Sequence, residues 1–138
     1  MANEAIIRDK LQDPINMEIE SDTVGLEKGA FVKLLDARKI SGAGLLHFPC
    51  AGIVAREKVA NDGVTQVAVY RKGIFDVIAS GAITVGTPVQ MAGAAATNGD
   101  NYVVSGAAVT TLLSGAVIIG TALETAADEE VFQISLDL

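Results

Sequence analysis

The stretch that decides the fold class is FQISLDL, residues 132–138, in which apolar and polar side chains alternate without interruption. Phe132, Ile134, Leu136 and Leu138 share one face, because successive side chains of a β-strand point to opposite sides. Alternation of this kind predicts a half-buried strand and does not fit the 3.6-residue period of a helix. We therefore expect a strand here with one face in the core.

The same pattern recurs upstream between turn signals. Val67 and Val69 alternate with polar or small residues, directly after Asn61-Asp62-Gly63, a turn signal because all three residue types tolerate positive φ. Asn98-Gly99 predicts a hairpin turn. Further strand candidates are Phe31 to Leu35, Gly52 to Ala55 and Ile74 to Ala79.

Composition supports an all-β fold built on aliphatic residues. Half of the 138 residues are apolar, Trp is absent, and 14 glycines separate the Val- and Ile-rich runs. Many short strands joined by tight turns have this composition. We predict one compact β-sandwich or barrel over residues 21–138, with a jelly roll as one possible topology. One core is expected to contain Val67, Val69, Phe75, Ile134 and Leu136.

A weak internal repeat suggests two similar halves. Residues 26–34 resemble 83–91, and residues 60–69 resemble 127–136, which matches Val67 and Val69 with Ile134 and Leu136. A true duplication predicts two halves closing around one core, with no exposed sheet edges. Coincidence among Val-rich segments is the alternative.

Residues 1–20 differ from the rest of the chain. Asn3 is a suitable N-cap for a short helix that places Ile7 and Leu11 on one face, and Pro14 would end it. So short a helix is not stable alone. The segment is predicted to be an N-terminal arm that reaches a neighbour, or, over residues 15–20, a first strand.

The apolar content of this segment is high for a free tail. We take four of its residues as candidate partner contacts: Ile6, Ile7, Leu11 and Ile15. In the strand alternative, Met17 and Ile19 face the core instead.

Charge argues against nucleic acid and membranes as partners. The net charge is −7, and the basic pairs at 38–39 and 71–72 are isolated, so no basic stripe is available to replace phosphate counterions. Anionic membrane surfaces are disfavoured for the same reason. The longest apolar stretch, residues 115–123, is too short to span a bilayer, and the charged N-terminal region does not resemble a signal peptide. Production in a cytoplasm is expected.

No set of residues predicts catalysis, a metal site or a cofactor. With one histidine, His47, and one cysteine, Cys50, a zinc site of the usual kind cannot form in one chain. As a nucleophile pair these two residues would point to opposite faces of an extended segment. The glycine-rich loop 41–44 lacks the lysine of a phosphate-binding loop, and the acids at 128–130 lack calcium-loop spacing. The chain is therefore predicted not to be an enzyme.

The middle of the chain resembles a known family. GIVA at 52–55, VANDG at 59–63, VAVYRKGIFD at 67–76 and ASGAI at 79–83 are similar to the capsid cement (head decoration) proteins of tailed bacteriophages. The resemblance implies a small β domain that binds the major capsid protein on the outside of the virion and stabilises the capsid. It also implies a homo-oligomer. The mean hydropathy of +0.41 independently suggests subunit contacts, and a trimer is preferred over a dimer.

Two other functions stay open from the sequence. The first is a virion protein that itself forms shell or tail, which would assemble spontaneously into large particles. The second is a β barrel that binds a small ligand, which requires a deep polar pocket in place of a filled core.

Overall fold

The computed structural model of the chain describes residues 5–21, 25–42, 49–91, 102–105 and 118–138, of which 102–105 through the backbone alone. Every regular element in these residues is a β-strand, which confirms the all-β prediction. In chain order the strands are β1 (Ile6–Lys10), β2 (Ile15–Ile19), β3 (Phe31–Leu35), β4 (Lys39–Ser41), β5 (Cys50–Val54), β6 (Gln66–Tyr70), β7 (Lys72–Ala79), β8 (Pro88–Met91), β9 (Tyr102–Ser105), β10 (Ile118–Ala122) and β11 (Val131–Asp137).

Strands β2 to β6 form a closed barrel, called barrel 1, in the order β2-β4-β3-β5-β6. Most neighbours are antiparallel, but β2 and β4 pair in parallel through Glu18 with Lys39 and Ile19 with Ile40. Antiparallel pairing of β2 with β6 completes the ring. Closure leaves no free sheet edge in this half.

Strands β7 to β11 repeat this arrangement as barrel 2. They follow one another in the order β7-β11-β10-β8-β9, and β9 pairs back onto β7 in parallel through Ile78 with Tyr102 and Ala79 with Val103. The order is that of barrel 1, with β2 to β6 replaced in turn by β7 to β11. Strand β1 lies beside the first part of β7 and has no equivalent in barrel 1.

Individual hydrogen bonds show that the duplication is real. An isolated two-way bridge joins Leu26 to Lys58 in barrel 1, and the same bridge joins Ile83 to Ala126 in barrel 2. The tight turns that follow Leu26 and Ile83 also match. The Gly29 amide donates to the Val54 carbonyl at 2.8 Å, and the Gly86 amide donates to the Ala122 carbonyl at 2.8 Å.

The two barrels also share one β-bulge and one close backbone approach. Gly52 pairs with Val32 and Gly120 pairs with Val89, and in each barrel the register shifts at the adjacent position. A Cβ atom would lie 2.1 Å from the Tyr70 carbonyl oxygen at Gly52 and 1.8 Å from that of Ser135 at Gly120. Both positions therefore require glycine.

The register of the predicted repeat was wrong by two residues in its last strand. Val54 pairs with Val69, whereas its equivalent Ala122 pairs with Ile134. Val69 therefore corresponds to Ile134 and not to Leu136. The cause is the turn before β6, which is longer than the turn before β11. Aligning the two halves by the acidic residues of these turns therefore places β6 two residues out of register with β11.

The prediction of one core was also wrong, because each half closes on itself. All five predicted core residues are buried, but Val67 and Val69 lie in a cluster inside barrel 1. Phe75, Ile134 and Leu136 lie in a second cluster in barrel 2. Parallel pairing of β2 with β4, and of β7 with β9, separates the two interiors.

The second cluster extends onto the outer surface of barrel 1. Phe31 and Ile53 pair across β3 and β5 and belong to the barrel 2 cluster, whereas their chain neighbours Val32 and Val54 face the interior of barrel 1. Tyr70, next in this row, packs on the same cluster. Its ring meets that of Phe75 edge-on, with centroids 5.6 Å apart.

The N-terminal segment forms strands, so the predicted short helix was wrong. Residues 6–10 pair antiparallel with β7, and the Arg8 guanidinium binds the buried carboxylate of Asp76, with its Nη2 2.5 Å and its Nε 2.7 Å from Oδ2. In this chain the segment therefore lies on barrel 2 and does not reach away from it. Met17 and Ile19 on β2 are buried, as the strand alternative predicted.

Candidate interaction surfaces

The four predicted partner-contact residues do not form one patch. Ile6 and Leu11 are 53% and 64% exposed. Ile7 is partly buried against the barrel 2 cluster, and Ile15 is partly buried against the barrel 1 cluster. Two different depressions of the surface include members of this set.

The first depression lies beneath β1. It has a volume of about 240 Å³ and is bordered by Ile6, Ile7, Ala55 and Phe75 among others. The Ala5 amide donates to the Gly29 carbonyl at 2.9 Å, which ties the start of β1 to barrel 1. The N-terminal segment thus covers part of the junction between the barrels.

The second depression, called the end groove, opens at one end of barrel 1 and has a volume of about 600 Å³. Its lining combines aliphatic side chains with two guanidinium groups. The lining residues are Ile15, Met17, Leu34, Leu35, Asp36, Ala37, Arg38 and Arg71, so one carboxylate lies beside the two guanidinium groups. Sequence reasoning found Ile15 but missed the arginines, because they come from the β3–β4 turn and the end of β6.

Both arginines of the end groove are held by backbone carbonyl groups. Arg71 Nη1 donates to the Ala51 carbonyl at 3.3 Å, and Arg38 Nη2 lies 3.5 Å from the carbonyl oxygen of Asn16. In the described part of the chain, neither guanidinium pairs with a carboxylate. The Arg38 residue is exposed, whereas Arg71 is half-buried.

A strained turn positions Arg38. Ala37 and Arg38 have φ values of 61° and 63°, which L-residues other than glycine seldom adopt. The Asp36 carboxylate accepts the Ala37 amide at 2.7 Å and supports this conformation. The turn has the backbone of a glycine-type hairpin turn but presents a charged side chain.

Charge is distributed unequally between the two halves. All ten Lys and Arg residues precede Gly73, where they are matched by ten Asp and Glu residues. Residues 73–138 carry seven acidic residues and no basic one, although barrel 2 also includes Lys72 at the start of β7 and is contacted by Arg8 on β1.

Comparison with known proteins supports the fold. No family model and no curated protein matches the sequence. Among solved structures, the chain is similar to the N base of head fiber gp8.5 of bacteriophage phi29, with a TM-score of 0.52 and 18% identity. The match covers 90% of this chain and 92% of that one, so it includes both barrels. At this identity the likeness concerns the fold.

The described residues show no metal-binding cluster, and their one cysteine is buried. No cluster of three or more His, Cys, Asp or Glu side chains is placed to hold a metal ion in this part of the chain. Cys50 is buried, and burial raises the pKa of its thiol to about 12, which keeps it protonated and unreactive. His47 and the predicted turn at Asn98-Gly99 lie outside the described residues.

None of the described residues belongs to a helix long and apolar enough to cross a bilayer. The interior positions of barrel 1 are filled by tightly buried side chains such as Met17, Val32 and Val69.

Proposed function

We propose that this chain is a non-enzymatic structural protein of a bacteriophage virion that binds and stabilises the outer surface of the capsid. The observation that carries the proposal is the two-barrel fold, which it shares with a phage head fiber base over nearly the whole of both chains. The sequence resemblance of residues 52–91 to capsid cement proteins points independently to the capsid exterior.

The proposed partners are the major capsid protein and other copies of this chain, with a trimer preferred over a dimer. A symmetric oligomer engages several capsid subunits together, so that weak individual contacts combine into tight attachment to a repeating lattice. No nucleic acid, membrane or cofactor is included, and the protein is expected to be made in the host cytoplasm. Its acidity suits a protein that must not compete for packaged DNA.

Co-sedimentation with capsids tests this function. Expanded capsids without decoration, assembled from the major capsid protein of the same genome, are mixed with the purified protein and pelleted. We expect saturable binding at a fixed ratio of protein to capsid subunits. Unexpanded procapsids and an unrelated capsid serve as controls for lattice specificity. Absence of saturable binding to the expanded capsid would refute the proposal.

The behaviour of the protein alone separates the two structural roles. A cement protein stays a soluble oligomer of defined size without capsids. Spontaneous growth of tubes or shells, seen by electron microscopy, would instead identify a shell- or tail-forming protein.

A further inference from the structure

We propose that the end groove of barrel 1 docks on the outer surface of barrel 2 of a second copy of this chain. The contact would repeat, between molecules, the contact that barrel 2 makes with barrel 1 inside one molecule. This inference concerns self-association and does not depend on capsid binding.

The contact inside the chain joins an end of one barrel to a flank of the other. The flank is the row Phe31, Ile53 and Tyr70 on the outside of barrel 1. The end belongs to barrel 2 and includes Phe75, whose ring meets that of Tyr70. Leu136, the last interior residue of β11, belongs to the same buried cluster.

The strand pairings of the two barrels match residue by residue, and they show which end of barrel 1 is equivalent to the end that barrel 2 buries. Ile15 pairs with Val69 as Phe75 pairs with Ile134, so Ile15 occupies the place of Phe75. By the same register, Arg71 occupies the place of Leu136. Both residues line the end groove. The surface that barrel 2 buries against barrel 1 is therefore open on barrel 1 itself.

The matched registers also identify the flank on barrel 2. On barrel 1 the flank is a row in which Phe31 pairs with Ile53 and Ile53 pairs with Tyr70. On barrel 2 the equivalent row is Pro88, Thr121 and Ser135, which pair with one another in the same way. On barrel 2 this row is uncovered: Pro88 and Thr121 are exposed and Ser135 is half-buried.

Large apolar side chains border this open row. Leu123 and Val85 are 40% and 53% exposed. They stand where barrel 1 has Ala55 and Lys28, which border the depression beneath β1. A partner seated on the row of barrel 2 would cover them in the same way.

At equivalent positions the two barrels carry different residues, and these differences fit a contact between separate molecules. Inside one chain, Leu136 at the end of barrel 2 belongs to the same buried cluster as the aromatic and aliphatic flank of barrel 1, as is usual in a protein core. At the open surfaces the end carries Arg71 and Arg38 beside Asp36, and the flank strands β8, β10 and β11 contain no basic residue. Glu124, beside Leu123, stands where barrel 1 has Arg56. Opposite charges on the two surfaces, beside exposed apolar side chains, are typical of interfaces between separately folded partners.

A contact between two different surfaces has a consequence for symmetry. Repeated head to tail, it forms a ring or an open filament, and a closed ring requires a defined rotation between successive copies. The predicted trimer is one such ring. The trimer then has six barrels that alternate around the ring.

Charge reversal tests the interface by light scattering and sedimentation equilibrium without capsids. Arg71→Glu and Glu124→Arg should each weaken self-association about tenfold or more, because each places like charges opposite one another. The double variant Arg71→Glu/Glu124→Arg should restore much of it. Arg56→Glu, an equal charge change outside both surfaces, is the matched control. Undiminished association of both single variants, or a monomeric wild-type protein at micromolar concentration, would overturn the proposal.

Cysteine cross-linking tests the head-to-tail geometry independently of affinity. In a Cys50→Ala background, Leu35→Cys and Thr121→Cys are introduced singly and together. A head-to-tail contact predicts disulfide-linked oligomers only in the chain that carries both cysteines. Efficient cross-linking by either single variant would show a symmetric contact and reject the proposed one.

Discussion

At the scale of single residues, Gly120 and Gly81 favour glycine for different physical reasons. Gly120 has an ordinary backbone conformation, yet the Ser135 carbonyl oxygen occupies the space that a Cβ atom would need. Gly81 presents the opposite case, since it has a φ of 88° with open space around it. Comparing substitutions at Gly120 and Gly81 therefore distinguishes the cost of a steric clash from the cost of backbone strain.

We expect Gly120→Ala to destabilise the protein by about 3 kcal/mol or more, because the obstructing atom is backbone and cannot move aside without breaking the pairing of β10 with β11. Gly81→Ala should cost only about 1–2 kcal/mol, the strain of a left-handed residue with a side chain. Urea unfolding measures both. Equal losses in the two variants would contradict the steric account.

Leu136 offers a direct measure of packing in barrel 2. It is 1% exposed, so Leu136→Ala should lower the free energy of unfolding by about 2–5 kcal/mol through lost burial and a residual cavity. Val131, on the same strand, is 64% exposed, and Val131→Ala should change stability by less than about 0.5 kcal/mol. A loss of stability at Leu136 as small as that at Val131 would show that the Leu136 side chain does not face the core.

At the scale of elements, the turn before β6 is stabilised by a buried lysine. The Lys58 side chain is fully buried, and its Nζ donates to the Val59 carbonyl at 2.9 Å and to Asp62 Oδ1 at 3.0 Å. Asp62 also accepts the Val64 amide at 2.9 Å. The equivalent bridge position in barrel 2 is Ala126, so this ionic arrangement belongs to the longer turn of barrel 1.

The charge of Asp62 should make this turn sensitive to acid. The hydrogen bond from the Val64 amide, followed by that from Lys58, lowers the pKa of Asp62 below its usual 3.8. A lowered pKa in the folded state means that the stabilisation is present above pH 3.8 and is lost as the pH falls through the folded-state pKa. We therefore expect Asp62→Asn to be less stable than the wild type at pH 7.

Urea unfolding from pH 7 to pH 2.5 measures this effect. The stability difference between wild type and Asp62→Asn should shrink as the pH falls below about 4, because Asp62 is then protonated in the unfolded chain and, at still lower pH, in the folded protein too. Glu57→Gln, at an exposed neighbouring acid, is the control. A difference that stays constant over the whole range would show that the charge of Asp62 has no part in the turn.

At the scale of the whole molecule, the two barrels should unfold together. Their interiors are separate, but Phe31 and Ile53 of barrel 1 are buried in the barrel 2 cluster, and only Arg71 lies between β6 and β7. Loss of either barrel would expose these side chains to water. Far-ultraviolet circular dichroism and tyrosine fluorescence should therefore report one transition in urea with the same midpoint. Two resolved transitions would show that the shared contact is weak.

Phe75→Ala adds a second measurement of that contact. Removing the ring that meets Tyr70 should destabilise the protein by about 3–5 kcal/mol. The loss should appear in the unfolding of both barrels and not of barrel 2 alone.

The sequence alone determined the local structure well. Alternation at 66–70 and 132–138 identified β6 and β11 and the inward side of each, because a strand's side-chain period of two is a local property of the backbone. The similarity of residues 26–34 to 83–91 revealed the duplication, since the same turn and strand recur with the same spacing. Acidity and the lack of clustered His and Cys pointed away from enzymes and nucleic-acid binders.

Only the tertiary structure decided how these strands are partitioned. Parallel pairing of β2 with β4 and of β7 with β9 depends on contacts between distant residues, and no local pattern distinguishes two closed barrels from one. The same is true of residues 6–10, whose apolar and charged side chains fit a docked helix in isolation but complete a sheet beside β7. The end groove likewise exists only after folding, because barrel closure brings Ile15, Arg38 and Arg71 from separate strands and turns to one end. Side-chain alternation is set by each strand alone, whereas closure and surface chemistry are set by which strands meet.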